Sequence, residues 1–388
     1  MNKNIQLIIL LLLLGMQATA QLNINGKIKN NANEPIVGAS VFISNTSFTT
    51  VTNVNGQFTL SNIPIQKGEL IINALGYKTF VVAVNSSATV FDIVLEQQPK
   101  ELDPVIVQSL EKNGYQKWGK LFFDLFVGTT PEAANCSIRN TKVLRFYYDK
   151  KNGILRTVAY EPIIIENRSL GYEINYSLED FTYNAKEKTI FFSGYPVFKN
   201  LKGGKRKQQQ WIENRSDCYN GSVMHFMRSI YTNQLTQHNF SVQAAKKVKN
   251  EEKQRVKKIV RQSINLGNND FNFNKNDSST YYNDVLKQSD EFFISNGKPL
   301  PTDSFAYAID STIAAIYFDH YLCVQYSPTN APKKISYCTL LTPEIIEIYQ
   351  NGAFYNATNF FTEGYWSTTE KISRLLPLDY QPPNNFNK

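Results

Sequence analysis

From Leu22 to Leu95 apolar and polar residues alternate in short runs. Turn residues break the runs at roughly 8–12-residue intervals, the rhythm of a β-sandwich. Val37, Ala39, Val41 and Ile43 alternate with Gly38, Ser40 and Phe42. Asn53-Val54-Asn55-Gly56 comes next as a tight turn, because Gly takes positive φ without strain and Asn tolerates it. Phe58 and Leu60 restore the alternation; Leu70, Ile72 and Ala74 share a face until Gly76 breaks it. Val81, Ala83, Val90, Ile93 and Leu95 complete the apolar set. The pattern predicts about seven strands.

Beyond this segment the period changes. Trp118, Leu121, Phe122, Leu125 and Phe126 recur at helical spacing and predict a core-packing helix over about Leu110–Val127. Strand-like runs come after it at Lys142–Tyr148, Ile154–Tyr160, Gly171–Tyr183 and Lys188–Phe198. Within Tyr172–Leu178 large residues alternate with small or polar ones, as in a sheet with one wet face, where aromatic rings either pack or stack on carbohydrate. In 211–230, Val223, Phe226, Met227 and Ile230 make one helical face, which turns Ser222, His225, Arg228 and Ser229 the other way. His225 is therefore expected outside the core. Lys202–Lys207 is expected as a loop between strands, and Lys246–Arg261 fits either a helix or a long hairpin. Residues 264–290 read as a polar surface insertion, and Ile313–Tyr326 with Lys334–Leu341 as paired strands. Ser367-Thr368-Thr369-Glu370 has the spacing of a capping box, opening a helix through Leu376.

Composition adds a compartment. Lys3, the apolar run Leu7–Leu14 and the small-residue site Ala18-Thr19-Ala20 form an export signal over 1–20. The run is shorter than the roughly 20 residues a membrane-spanning helix needs, and no later stretch is apolar enough to serve. The formal charge of +8 falls to +7 when Lys3 leaves with the signal (8 − 1). With 22 Tyr and 25 Phe the chain favours sheets over helical bundles. The expected fold is mainly β: an N-terminal sandwich at 21–97, a linker strand at 98–108, then a larger β-rich α+β domain over 109–388.

The stretches GKIKNNANEPIVGASVFI, TVTNVNGQFTLSNIP and GELIINALGYKTFVVAV resemble the carboxypeptidase-regulatory-like domain, a transthyretin-like sandwich common at the front of Gram-negative envelope proteins. Asn53 stands where that family often has Asp, and both suit the turn. Leu102-Asp103-Pro104-Val105-Ile106-Val107 resembles the short strand that often succeeds it. The remainder resembles the C-terminal region of exported proteins with the same front domain, on Pro162–Asn167, Leu170-Gly171-Tyr172 and Gly221–Arg228; no activity comes with that resemblance. TonB-dependent transporters open in the same way, but a barrel of about 22 strands needs more chain than residues 109–388 supply.

Chemical motifs are sparse. The zinc carboxypeptidases that gave the front domain its name hold metal with His-x-x-Glu. Here the third residue after His225, His238 and His320 is Arg228, Ser241 and Cys323. No cofactor or metal is expected. Cys323 and Cys338 flank the turn-like Pro328–Pro332 symmetrically and are a candidate disulfide; Cys136 and Cys218 complete the cysteines. His225, whose ordinary pKa is near neutrality, is the candidate general base, with Ser222 and Arg228 beside it. Lys205, Arg206 and Lys207 are candidate anion contacts, and Lys246–Arg261, with eight basic and two acidic residues, carries a net +6. Export directs these charges to anionic lipid, acidic glycan or an envelope protein rather than to nucleic acid. The leading expectation is a non-enzymatic binding or structural protein of the periplasm or outer membrane. The alternatives are a peptide or polysaccharide hydrolase using His225, and a small outer-membrane barrel.

Overall fold

The computed structural model describes residues 22–65, 67–85, 89–98, 110–265, 277–329 and 331–383. The expected signal at 1–20 and the linker strand Leu102–Val107 lie outside the described residues. Strand outweighs helix, 43% to 24%, and among the described residues the strands lie in five separate sheets of three to six strands. No helix among the described residues is long and apolar enough to cross a membrane. The chain divides into two compact units: one runs to Met224 and resumes at Thr368, and the other is His225–Ser367.

The first unit opens with seven strands: β1 (Leu22–Asn30), β2 (Ser40–Ile43), β3 (Thr49–Val51), β4 (Gln57–Ile63), β5 (Lys67–Asn73), β6 (Phe80–Asn85) and β7 (Val90–Leu95). They form a sandwich of two sheets, ordered β4-β1-β7 and β3-β2-β5-β6. Ile24, Ile28, Val41, Ile43, Phe58, Leu60, Leu70, Ile72 and Ile93 fill the space between them. The Asn53–Gly56 turn forms as expected. Asn53 Oδ1 accepts from the backbone N–H of Asn55 and Gln57, both at 2.9 Å, and Gly56 sits at φ +71°. A Cβ at Gly56 would lie 2.4 Å from the carbonyl of Ile28, so only glycine fits.

The alternation misplaces four residues. Val37, Val81, Ala83 and Val90 are exposed, Val90 by 78%. In β6 the inward residues are Val82, opposite Leu70, and Val84, opposite Gly68. Phe80–Val84 is apolar throughout and so carries no phase of its own; pairing with β5 sets it. Conversely Phe42 and Ile71, on the outer face of the four-stranded sheet, are 1% and 0% exposed.

What covers them is the next layer of the same unit. Its strands are β8 (Cys136–Ile138), β9 (Leu144–Asp149), β10 (Ile154–Ala159), β11 (Ile163–Asn167), β12 (Tyr172–Asn184) and β13 (Thr189–Asn200). They run β8-β11-β12-β10-β9, with β13 also paired to β12. Val197 and Tyr195 of β13 pack against Phe42 and Ile71. On the other face of this sheet lies α1 (Gly114–Phe126): Phe122 stacks on Phe126 at 5.0 Å, and both meet Phe181. Tyr172 and Tyr176 point into this core against Phe198 and Phe126 and offer no stacking surface to carbohydrate.

Helix α2 (Lys205–Tyr219) begins where a loop was expected. Gly204 holds extended backbone before it, and Lys205, Arg206 and Lys207 form its exposed first turn with no acid among them, against the helix dipole. The helix is secured further along. Trp211 Nε1, Asn214 Nδ2 and Arg215 Nε donate to the carbonyls of Arg168, Ser169 and Leu170 at 2.7–2.9 Å. A Cβ on Gly171, at φ +70°, would come 2.2 Å from Trp211. Helix α3 (Val223–Tyr231) comes next.

The second unit continues with β14 (Phe240–Lys249), α4 (Glu251–Asn265), α5 (Asp277–Lys287), β15 (Glu291–Pro299), β16 (Ala306–Ala308), β17 (Ala314–Ile316), β18 (Tyr321–Tyr326), β19 (Lys334–Leu340), β20 (Ile346–Ile348), β21 (Phe354–Tyr355) and β22 (Phe360–Gly364). Its sheets are β15-β14-β18-β19-β22 and β16-β17-β20-β21. The basic segment thus ends one strand and forms the helix after it, and α5 occupies part of the expected insertion. Helix α6 (Tyr365–Thr369) already contains Ser367, whose hydroxyl donates to the Gly364 carbonyl at 2.8 Å. The capping-box reading fails because Gly364, at φ +76°, ends β22 and lets the helix start at once. Ile372–Arg374 is only a 3₁₀ turn.

The β18–β19 hairpin exists, but its disulfide does not. Register pairs Cys323 with Tyr337 and Leu322 with Cys338. One residue of offset sends the two thiols to opposite faces of the sheet. All four cysteines are free.

Candidate functional site

Inside the first unit the sandwich and the second sheet meet through specific bonds. The turn after β2 adds to the edge of β13: Asn45 N–H donates to the Pro196 carbonyl at 2.8 Å, Phe198 N–H to that of Thr46 at 3.0 Å, and Thr46 bridges Val197 in parallel. The returning chain locks this turn. Asp379 accepts from the backbone N–H of Ser47 at 2.9 Å and from its hydroxyl, while Leu378 N–H donates to the Asn45 carbonyl at 2.7 Å. Across the junction Asn73 Nδ2 donates to Ser177 Oγ at 2.6 Å.

Beside that bond lies a cavity of about 230 Å³. One wall is the outer face of the sandwich, where Ser40 and Asn73 are paired residues of β2 and β5 with Phe42 alongside. The opposite wall is β12 and β13, presenting Asn175, Ser177 and Val197. Asn140, from the connection between β8 and β9, and Glu161, Pro162 and Ile164, from the loop before β11 and from that strand, close it. Asn140 is committed to the fold: its Nδ2 donates to the Pro162 carbonyl and its Oδ1 accepts from Ile164 N–H, both at 2.8 Å. Asn175 differs, since its Oδ1 is buried and has no hydrogen-bond partner. A buried carbonyl-type oxygen left unbonded costs about 1–3 kcal/mol, and this one is shut off from the space of the cavity as it is from solvent.

The residues singled out by chemical type lie elsewhere. His225 is 2% exposed, Arg228 8% and Ser229 0%. The polar side of α3 is not a wet side. The His225 ring sits 4.9 Å from Phe240 of β14, 5.7 Å from Tyr326 of β18 and 5.3 Å from His238. Amphipathicity ranks the faces of a helix by polarity and does not say which meets water. Burial, with the charges of His238, Arg228 and Lys334 behind it, pushes the His225 imidazole down to about 3, so it stays neutral near pH 7. Arg228 Nε donates to the Asn351 carbonyl at 2.9 Å. Ser229 Oγ donates to the His225 carbonyl at 2.7 Å and lies 2.8 Å from His238 Nδ1. That hydroxyl–imidazole pair has the spacing of a nucleophile and its base, but the serine is sealed from any reactant. Ser222 is half-buried in the turn before α3. The structure therefore joins His225, Arg228 and Ser229 in a packed core, leaves Lys205, Arg206 and Lys207 on an exposed helical turn, and brings none of them to the cavity.

Sequence reasoning missed Ser40, Asn73, Asn175 and Ser177. Asn175 and Ser177 sit on the polar side of the Tyr172–Leu178 alternation, which signals a wet face; nothing in it signals the second wall.

The family model for the CarboxypepD_reg-like domain matches residues 24–107. No curated protein matches the chain. Among solved structures, an Acinetobacter catechol 1,2-dioxygenase inhibited by bound mercury is 15% identical, with 24% of this chain and 59% of that one covered at a TM-score of 0.19. A Cyanothece 9R-lipoxygenase is 10% identical over 56% of this chain and 49% of its own, at a TM-score of 0.17. The chain thus spans between half and three fifths of these structures, and likeness at that level carries no argument about activity. Strands β2 to β7 and all but the first two residues of β1 fall within the matched segment, and residues 24–107 are a CarboxypepD_reg-like domain.

Proposed function

We propose that this is an exported cell-envelope protein with a non-enzymatic binding role, and that its front domain forms one wall of the binding site. The observation carrying this reading is the cavity shared by the sandwich and the second sheet, with Ser40, Asn73, Asn175 and Ser177 in its walls. Amides and hydroxyls placed on two rigid sheets suit recognition of a small polar molecule. The leader at 1–20 supports export. The burial and low pKa of His225 weigh against the hydrolase alternative, since a general base must reach its substrate.

The test has two parts. Fractionation of cells making the full chain should place it in the periplasm or the outer membrane, and recovery in the cytosol would refute export. Side-chain amide signals of Asn73 and Asn175 should shift on adding some member of a panel of sugars, amino acids and polyols. A panel that leaves both signals unmoved refutes the binding role of this cavity.

A further inference from the structure

We infer that the outer edge of β15 pairs antiparallel with the same edge of a second copy of this chain, joining their five-stranded sheets into one. Strand β15 ends the order β15-β14-β18-β19-β22, and among the described residues no strand pairs with its far side. Natural edges are blunted by lysine, proline or a bulge. Here those devices come late in the strand. Asn296-Gly297-Lys298 bulges out opposite Ala244, with Gly297 at φ +72°, and Pro299 comes after it. Glu291–Ser295 keeps an unbroken register with β14 and has none of the three.

Which backbone groups face outward is fixed by one bond. Asn250 N–H donates to the Asp290 carbonyl at 2.8 Å, and continuing the register from Lys249 and Glu291 sets these two residues opposite each other. Opposed residues of an antiparallel pair alternate between those that exchange hydrogen bonds and those that do not. Phe292 and Ile294 therefore turn their N–H and C=O toward β14, and Glu291, Phe293 and Ser295 turn theirs outward. That set is symmetric about Phe293. A two-fold axis through Phe293, normal to the sheet, puts Phe293 opposite its own copy and Glu291 opposite Ser295. Each outward N–H then meets an outward C=O.

The side chains agree with that register. Phe292 and Ile294, 46% and 53% exposed, share one face and become cross-strand neighbours of each other's copies. On the other face Phe293 stacks on Tyr337 at 3.9 Å and meets Tyr321 at 5.0 Å, so the edge is ordered before it pairs. Glu291, 3.4 Å from Lys247, comes opposite the uncharged Ser295, and no like charges are opposed within Glu291–Ser295. An unrelated extended peptide would have to reproduce this alternation of apolar and neutral positions. The strand itself already carries it.

Sedimentation equilibrium on the full exported chain tests this. An edge pair is a small interface, so the dimer should form at about 1–100 µM. Ile294→Lys puts a charge at an exposed position among the apolar side chains, and Ser295→Pro removes an N–H that points away from β14. Each should weaken dimerisation at least about tenfold while circular dichroism stays native. Either variant suffices if the other misfolds. Glu291→Cys and Ser295→Cys, made together in one chain, should give a covalent dimer on a non-reducing gel after oxidation in air. Opposed Cα atoms of a bonded pair lie about 5.5 Å apart, within the span of a disulfide. A chain that stays single throughout the concentration range overturns the inference. So does a dimer that both substitutions leave intact, a double-cysteine chain that fails to cross-link, or a monomer that takes up only an unrelated extended peptide.

Discussion

The two units treat their polar residues in opposite ways. In the second unit, imidazole, guanidinium and hydroxyl groups are sealed: His225, Arg228 and Ser229 are at most 8% exposed and are spent on packing and on carbonyls. In the first unit the half-buried Ser40, Asn73 and Asn175, residue types with little chemical reputation, border a cavity, while Ser177 beside them is buried and bonded to Asn73. Reactive character and availability are thus separate properties. A carboxamide at an open junction is better placed to meet a ligand than a histidine under a sheet.

The largest expected effect tests whether the junction in the first unit is as firmly packed as a core. Phe42→Ala should cost about 3–5 kcal/mol of unfolding free energy, because Phe42 is 1% exposed only through the layer above it. A loss below about 1 kcal/mol in urea titration would mean that the sandwich is hardly docked there, and the cavity would not be held between two fixed walls. Next comes pH. His225 ionises near 3 in the fold against an ordinary value of 6.5, so between these values the unfolded chain binds the extra proton. Its stabilising contribution is complete above pH 6.5 and lost as pH falls through the window, at about 1.4 kcal/mol per unit. From about pH 6.5 to 4.5 thermal melts should show a loss of roughly 2–3 kcal/mol, which His225→Phe should largely remove. An unchanged acid slope in that variant would show that the imidazole reaches water after all.

A smaller effect belongs to the turn that joins sandwich and sheet. Asp379→Ala deprives Ser47 of both bonds and should cost about 1–2 kcal/mol by chemical denaturation. It should also speed hydrogen exchange at Asn45 and Phe198, whose amides bond across the same seam; protected amides in the variant would place the strength of the seam elsewhere. The smallest is a null effect in the second unit. Reductant should leave the melting temperature unchanged, and peptide mapping should recover Cys323 and Cys338 as thiols; a drop of several degrees would mean that the β18–β19 register is wrong.

How much could be read in advance depends on how local the cause is. The Asn53–Gly56 turn, the front domain, helix α1 and the long strands β12 and β13 obey short-range rules: positive φ for Gly, period-two alternation, helical spacing. The placements of Phe42, His225 and the Cys323–Cys338 pair do not. Each depends on what another segment lays over it, or on a register fixed by pairing.

By itself the sequence determined that the chain is mainly β, where most strands and helices fall, and that a CarboxypepD_reg-like module leads it. Tertiary structure alone decided which polar groups are sealed and which are open. Alternation fixes only the relative facing of neighbours along a strand, whereas burial and register are set by residues such as Val197 and Tyr326, far away in the chain but adjacent in space.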